Sequence, residues 1–146
     1  MMTASLRLQQ QLCFALYTAS RAMNHTYLSL LDPLGLSYTQ YLVLLVLWEE
    51  EGITVGRLGE HLSLDSGTLS PVLKRMGAAG LVTRQRDLSD ERVVHIGLTE
   101  QGHALKDLAS DIPQAMVYNS GLTVEQIEVL QHTLQQLTQN LNQLSK

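Results

Sequence analysis

Cysteine is nearly missing from this chain. Cys13 stands alone among 146 residues, which excludes an internal disulfide and any multi-cysteine zinc site. The five histidines, His25, His61, His95, His103 and His132, fall at no metal-ligand spacing, so neither a metal nor a cofactor is expected. Long apolar runs are missing too. The longest, residues 41–48, is far shorter than the roughly 20 residues a membrane-spanning helix needs. The opening residues lack the charged region and apolar stretch of a signal peptide, so no membrane association and a cytoplasmic location are expected. Positive charge is in deficit: 10 cations against 14 acids, a net charge of −4.

That deficit argues against a nucleic-acid partner until its distribution is considered. Between residues 65 and 86 there are four cations, Lys74, Arg75, Arg84 and Arg86, against the single acid Asp65, a local charge of +3. Acids gather elsewhere, as in Glu49-Glu50-Glu51. Phosphates respond to the local face, because salt screens charges beyond about 8–10 Å.

The order of signals along the chain predicts a mainly α fold carrying a small β wing. A first helix is expected over residues 6–31, where Leu12, Leu16, Ala19, Met23 and Leu30 share a stripe of 3.6-residue period. Asp32-Pro33-Leu34-Gly35 stops it. Ser37 and Gln40 have capping-box spacing for a second helix to about residue 50, and Thr54 caps a short third one ending near 62. A tight turn at 63–65 then leads into a helix over about 66–79, with Gly80 behind it. This pair is a helix-turn-helix. Ser66 suits an N-cap, and Pro71 is placed near the helix start, where a lost donor costs little. Residues 81–86 and 92–98 read as two strands joined by the polar tip Asp87-Leu88-Ser89-Asp90-Glu91. Thr99 caps a fifth helix running toward 111, with Pro113 and Gly121 as interruptions. Thr123 and Gln126 open the last helix, where Ile127, Leu130, Leu134, Leu137, Leu141 and Leu144 alternate spacings of three and four. That is a heptad seam, expected to bury against the first helix and a second subunit.

A helix followed by a wing, with cations on both, is a reader of duplex DNA. Ser66, Gly67, Thr68 and Ser70 put hydroxyls and free backbone N–H groups at the leading end of the reading helix. Lys74 and Arg75 lie one or two turns on, and Arg75 can read guanine. Arg84 and Arg86 line the first wing strand. Asp90 is expected to pair with Arg92 and fix the tip, while Arg92 or Arg86 enters the minor groove.

Lys74-Arg75-Met76, Gly80-Leu81-Val82, Arg84, Asp90, Arg92, Ile96, Leu98-Thr99 and Gly102 together resemble the signature of the MarR family of winged-helix regulators. The likeness covers nearly the whole chain. It implies an obligate homodimer with intertwined terminal helices, its two recognition helices in successive major grooves of a pseudo-palindromic operator. Residues 37–111 would then be the DNA-binding region, with 1–36 and 112–146 forming the helical dimerisation region. A narrower set, Gln11-Leu12-Cys13-Phe14, Tyr17, Tyr27, Tyr38-Thr39-Gln40-Tyr41-Leu42 and Asp65-Ser66-Gly67-Thr68-Leu69, resembles the OhrR subfamily of organic-hydroperoxide sensors. No cysteine occurs in the last third of the chain, so the one-cysteine branch is the one resembled.

A free cysteine ordinarily serves as a small buried hydrophobe. Helical geometry instead places Cys13 at the edge of the apolar stripe, flanked by Tyr17, Ser20 and Asn24. Tyr27 lies about 21 Å further along a continuous helix, out of reach of its own Cys13 but within reach of a partner packed antiparallel across a twofold axis. The resemblance implies that Tyr27 and Tyr38 serve the partner's cysteine in this way. Tyr41 and Tyr118 fit simple aromatic packing. Three functions compete. The first is a dimeric repressor inactivated when an organic hydroperoxide oxidises Cys13, with a small cellular thiol as second reactant. The second is a regulator released by a reversible ligand. The third is a thiol peroxidase, disfavoured because no resolving cysteine exists and the wing would go unexplained. A regulator, not an enzyme, is expected.

Overall fold

The structure is a computed structural model that describes residues 5–145. Residues 1–4 and 146, which the expected leaderless start and dimerisation region include, lie outside the described residues. Seven α-helices and three short strands are formed among the described residues. The chain divides into two compact units, one ending at Ser110 and one beginning at Asp111.

The first unit opens differently from expectation. A single 3-10 turn, Leu8–Gln10, precedes α1, Leu12–Leu31. Gln11 between them is extended at φ −86° and ψ 122°, and its side-chain amide donates back to the carbonyls of Ser5 and Arg7. The helix expected over 6–31 is therefore broken at Gln11, and Cys13 becomes the second residue of α1. The stop at 32–35 is a 3-10 turn closed by Gly35 at φ +69°, a left-handed conformation that suits glycine.

Helix α2, Tyr38–Glu49, carries the capping box: Gln40 N donates to Ser37 Oγ and Ser37 N to Gln40 Oε1. It is the central core helix, with Tyr41, Val43, Leu44 and Leu47 buried. Its Trp48 indole donates to the Gly102 carbonyl at 3.1 Å. Around it the core adds Leu31, Leu58, Leu69, Leu73, Met76 and Ile96, none more than 1% exposed.

Helix α3, Val55–Leu62, and helix α4, Ser66–Ala78, form the helix-turn-helix. A Cβ on Gly59 would stand 2.5 Å from the Leu64 backbone oxygen, so only glycine allows this close turn. Strands β2, Val82–Arg86, and β3, Val94–Leu98, make the wing. A strand the sequence did not reveal, β1, Ile53–Thr54, pairs with β3 and gives a three-stranded antiparallel sheet of order β1-β3-β2. Two residues are too few for a period-2 pattern to register. Arg92 and Val93, expected in the second strand, belong to the tip turn, where Val93 N donates to Asp90 O. Helix α5, Glu100–Leu108, follows its Thr99 cap. At Gly102 an added Cβ would meet the Leu81 carbonyl oxygen.

In the second unit, Pro113 does not interrupt a helix but opens one. It is the second residue of α6, Ile112–Ser120, where the missing N–H has no intrahelical partner to lose. Gly121 at φ +67° ends it, and α7, Val124–Leu144, begins at the expected Thr123–Gln126 capping box. No residue of α7 is buried.

Candidate DNA-binding surface and redox site

The cap of α4 is Asp65, not Ser66. Thr68 N donates to Asp65 Oδ1 at 2.7 Å, and the Thr68 backbone and hydroxyl hold the Asp65 carboxyl below the usual range. Ser66 is the first helical residue, which leaves its hydroxyl uncommitted to capping. One face of α4 buries Leu69, Val72, Leu73 and Met76, so Ser66, Gly67, Thr68, Ser70, Lys74 and Arg75 are all exposed. Pro71 also departs from expectation. It is the sixth residue of α4, past the four N–H groups that any helix leaves free. Its ring denies the Gly67 carbonyl the usual donor four residues on.

On the wing, Arg84 and Arg86 are exposed. Arg86 is committed to holding the tip, since its guanidinium donates to the Glu91 carbonyl at 2.7 Å. Asp90 and Arg92 pair through two contacts, Nε to Oδ1 at 3.1 Å and an NH2 group to Oδ2 at 3.2 Å. The Arg92 side chain nevertheless remains 91% exposed, and its guanidinium, aided by its own backbone N–H, holds the Asp90 carboxyl below the usual range. Arg92 thus stays open to solvent while paired with Asp90, and Arg86 is a strut behind the tip. Between α4 and the wing lies a cleft of about 490 Å³ whose walls include Ser66, Ser70, Arg84 and Arg92. Gly67, Thr68, Lys74, Arg75 and Arg86 lie outside that wall.

At the other candidate site the chain does not assemble all its predicted parts. Cys13 is exposed at the start of α1, where unpaired N–H groups face any anion. Tyr17, four residues on, is 58% exposed, with the Arg21 guanidinium 5.5 Å from its ring centroid. Tyr27 sits in the last third of the same unbroken helix, about 21 Å from Cys13 along the axis. Its ring packs at a tilt against Tyr38 at 4.8 Å and Tyr41 at 5.9 Å between ring centroids. Tyr41, read as simple packing, is a buried member of this cluster. Tyr118 packs on little, being 84% exposed. Burial raises all three clustered phenols above their ordinary value, reinforced at Tyr27 by Tyr38 and Tyr41. Their hydroxyls therefore stay protonated, as donors, across the physiological range. An open depression of about 940 Å³ runs along the polar flank of α1, with Thr18, Arg21, Asn24, His25 and Tyr38 in its walls.

Among the described residues no cluster of His, Cys, Asp or Glu could hold a metal ion, and no single helix is long and apolar enough to cross a membrane.

Comparison with known proteins agrees with these features. The family profile "Transcriptional regulator SarA/Rot" matches residues 26–108. The chain is 49% identical over 138 residues to the organic hydroperoxide resistance transcriptional regulator of Bacillus subtilis strain 168, covering 94% of each protein. Among solved structures, it is 38% identical to reduced AbfR bound to DNA, a Staphylococcus epidermidis protein, with a TM-score of 0.81 over 97% of this chain and 96% of that one. A mutant MarR of E. coli complexed with operator DNA shares the fold at a TM-score of 0.81 and 24% identity, covering 92% of this chain and 99% of that one. The helix-turn-helix and the three-stranded wing thus lie on a known framework: the chain belongs to the MarR family of winged-helix transcriptional regulators, and within it to the OhrR subfamily.

Proposed function

We propose that this protein is a homodimeric repressor that grips a pseudo-palindromic operator through Ser66, Gly67, Thr68, Ser70, Lys74, Arg75, Arg84 and Arg92, and releases it when an organic hydroperoxide oxidises Cys13. In this division of labour residues 37–111 read DNA, while the flanking helical segments join the two copies. The observation that carries it is the layout of α1. A thiol at one end of an unbroken helix and Tyr27, packed against Tyr38 of α2, toward the other, about 21 Å away, make two complete sites only when two copies pack antiparallel. Support also comes from a relative named for organic hydroperoxide resistance and from a similar protein solved on DNA in its reduced form.

The chemistry follows from these groups. Phenol donors from the partner copy and the N–H groups at the start of α1 stabilise the thiolate. Its sulfur attacks the terminal peroxide oxygen, the O–O bond breaks, and an alkoxide leaves and collects a proton as alcohol. The sulfur, oxidised by two electrons, is now a sulfenic acid. A small cellular thiol then condenses with it, releasing water and leaving a mixed disulfide. The added bulk and lost anion force Tyr27 and Tyr38 apart from their donor positions, and that strain passes through α1 and α2 to the reading heads.

A duplex-binding assay with and without organic hydroperoxide tests the scheme. Wild type should bind and then dissociate on oxidation, and Cys13→Ser should bind equally well and stay bound. Oxidative release of the serine variant would remove Cys13 as the sensor. A second mode draws on the depression beside Arg21, His25 and Tyr38: a small reversible ligand seated there would release wild type and Cys13→Ser alike.

A further inference from the structure

His95 makes contacts that the DNA and redox schemes leave unused. It lies in β3 on the sheet face opposite the buried Ile96 and Leu98. Its Nδ1 is 3.0 Å from the Gly52 carbonyl, and its Nε2 is 2.9 Å from Asp87 Oδ1. A carbonyl oxygen and an ionised carboxylate only accept hydrogen bonds. Both ring nitrogens must donate, so this geometry is satisfied only by the imidazolium. The neutral ring has one N–H and must forfeit one of the two partners.

The contacts join places that matter for the wing. Gly52 belongs to the connection between α2 and β1, and its N–H donates to the Ile96 carbonyl. Asp87 is the hub of the tip: its Oδ2 accepts from Ser89 N, Ser89 Oγ and Asp90 N. Asp90 in turn holds Arg92 by backbone and side chain. A continuous path of polar contacts therefore runs from the body of the domain, through His95 and Asp87, to the guanidinium that reaches outward.

We propose that His95 is a proton-dependent positioning residue for DNA binding, clamping the wing between Gly52 and Asp87 so that Arg92 is held ready for the duplex. This rests on the DNA-binding function set out above and adds a regulator to it, the proton. Binding strengthens as the imidazole protonates.

The charged surroundings are simple. The register partners of His95 are Gln85 on β2 and Thr54 on β1, both uncharged. Glu51, next to Gly52, accepts from Leu98 N and faces His103 of α5. On α3, Arg57 and His61 are occupied with Glu50. Asp87 is the charged group that meets the ring, and about a third of each partner's side chain is exposed. Asp87 and the Gly52 carbonyl raise the imidazole above its ordinary value of 6.5. The Ser89 hydroxyl, then His95, lower the Asp87 carboxyl to about 2. With the folded imidazole raised, the clamp is complete below about pH 6.5 and is lost as pH rises through the raised value. The carboxylate sets the acid limit, lost only as pH falls through about 2.

Full-length dimer is titrated with a fluorescent duplex from the regulated promoter between pH 6 and 8.5 at constant salt, for wild type, His95→Gln, Asp87→Asn and Lys74→Ala. Wild-type affinity should fall about threefold or more per wing across that range, the size expected of an ion pair about a third exposed. His95→Gln and Asp87→Asn should bind more weakly at pH 6 and show a flat profile. Lys74→Ala should bind more weakly yet keep the wild-type profile. A flat wild-type profile, or a wild-type slope in either clamp variant, overturns the clamp. Proton NMR of the free dimer separates this outcome from failure of the DNA function. The Ser89 and Asp90 amides should titrate together with the His95 ring in wild type, and not in His95→Gln. If no duplex binds at any pH, the DNA function fails while these amides still report on the clamp, and amides that ignore the ring overturn it.

Discussion

At the wing tip, Arg92 meets both the Asp90 carboxylate and open solvent. Its charge and its place just after the polar tip mark it as a wing cation. The structure adds the two-contact geometry of the pair expected with Asp90 and the 91% exposure that survives it. Arg86, equal to it in the sequence, donates to Glu91 O and serves the tip from within. Arg92→Ala should weaken duplex binding across unrelated sequences and reduce the slope of log affinity against log salt by about one unit. Part of that loss is indirect, because an Asp90 carboxylate freed of its partner repels phosphate. Salt titrations of the single Arg92→Ala and double Arg92→Ala/Asp90→Asn variants separate the two parts. An unchanged salt slope in both would take the wing out of the DNA interface.

Among the elements, α4 and the turn before it depend on close backbone approach more than on side-chain chemistry. Asp65 caps the helix, Ser63 adopts a left-handed φ of 55°, and Leu64 N donates to Gly59 O at 3.0 Å. Gly59→Ala would drive a methyl to 2.5 Å from the Leu64 oxygen. Relief requires the two helices to separate, at a cost of about 1–3 kcal/mol typical of overpacking. Chemical denaturation should show that loss, and duplex binding should fall further than stability alone predicts because α4 is displaced. A stable Gly59→Ala variant with normal DNA affinity would mean the turn relaxes freely. The sequence pointed to this turn through its short span, but Gly59 itself carried no signal: the obstacle is a carbonyl five residues away.

At the scale of the whole molecule, the single chain leaves apolar surface that needs a partner. Leu12, Met23 and Leu28 of α1 are 64%, 47% and 47% exposed, and Leu130, Leu141 and Leu144 of α7 are 48%, 54% and 81% exposed. Leu134 and Leu137 are only half-buried, so replacing both with glutamine should spare the fold of one chain. It should break the dimer, because each leucine buried at an interface contributes about 2 kcal/mol. Sedimentation checks this, and DNA affinity should drop with the halved number of phosphate contacts. A dimer also sets the rule for the redox site. A heterodimer pairing Cys13→Ser with a Tyr27→Phe/Tyr38→Phe chain keeps one cysteine, on the chain whose tyrosines are altered. If tyrosines act across the dimer, that cysteine meets intact phenols and reacts with hydroperoxide at the wild-type rate. Oxidation as slow as in the tyrosine-variant homodimer would place the site within one chain.

The sequence by itself determined the fold class, the reading helix, the wing and the separation of Cys13 from Tyr27. Each of these rests on local physics: 3.6-residue periodicity, caps such as Ser37 and Thr99, β-branched strands, and the fixed rise of a helix. The tertiary structure decided what depends on distant groups meeting. The strand Ile53–Thr54 exists because Ile96 and His95 lie alongside it. Gln11 breaks the first helix because its amide folds back on Ser5 and Arg7. Pro71 is tolerated deep in α4 with Leu69, Val72 and Leu73 of that helix buried in the core. The His95 clamp spans residues 52, 87 and 95, which no periodicity connects. Short-range preferences can be read residue by residue, whereas a hydrogen bond between distant segments becomes visible only once packing has brought its donor and acceptor together.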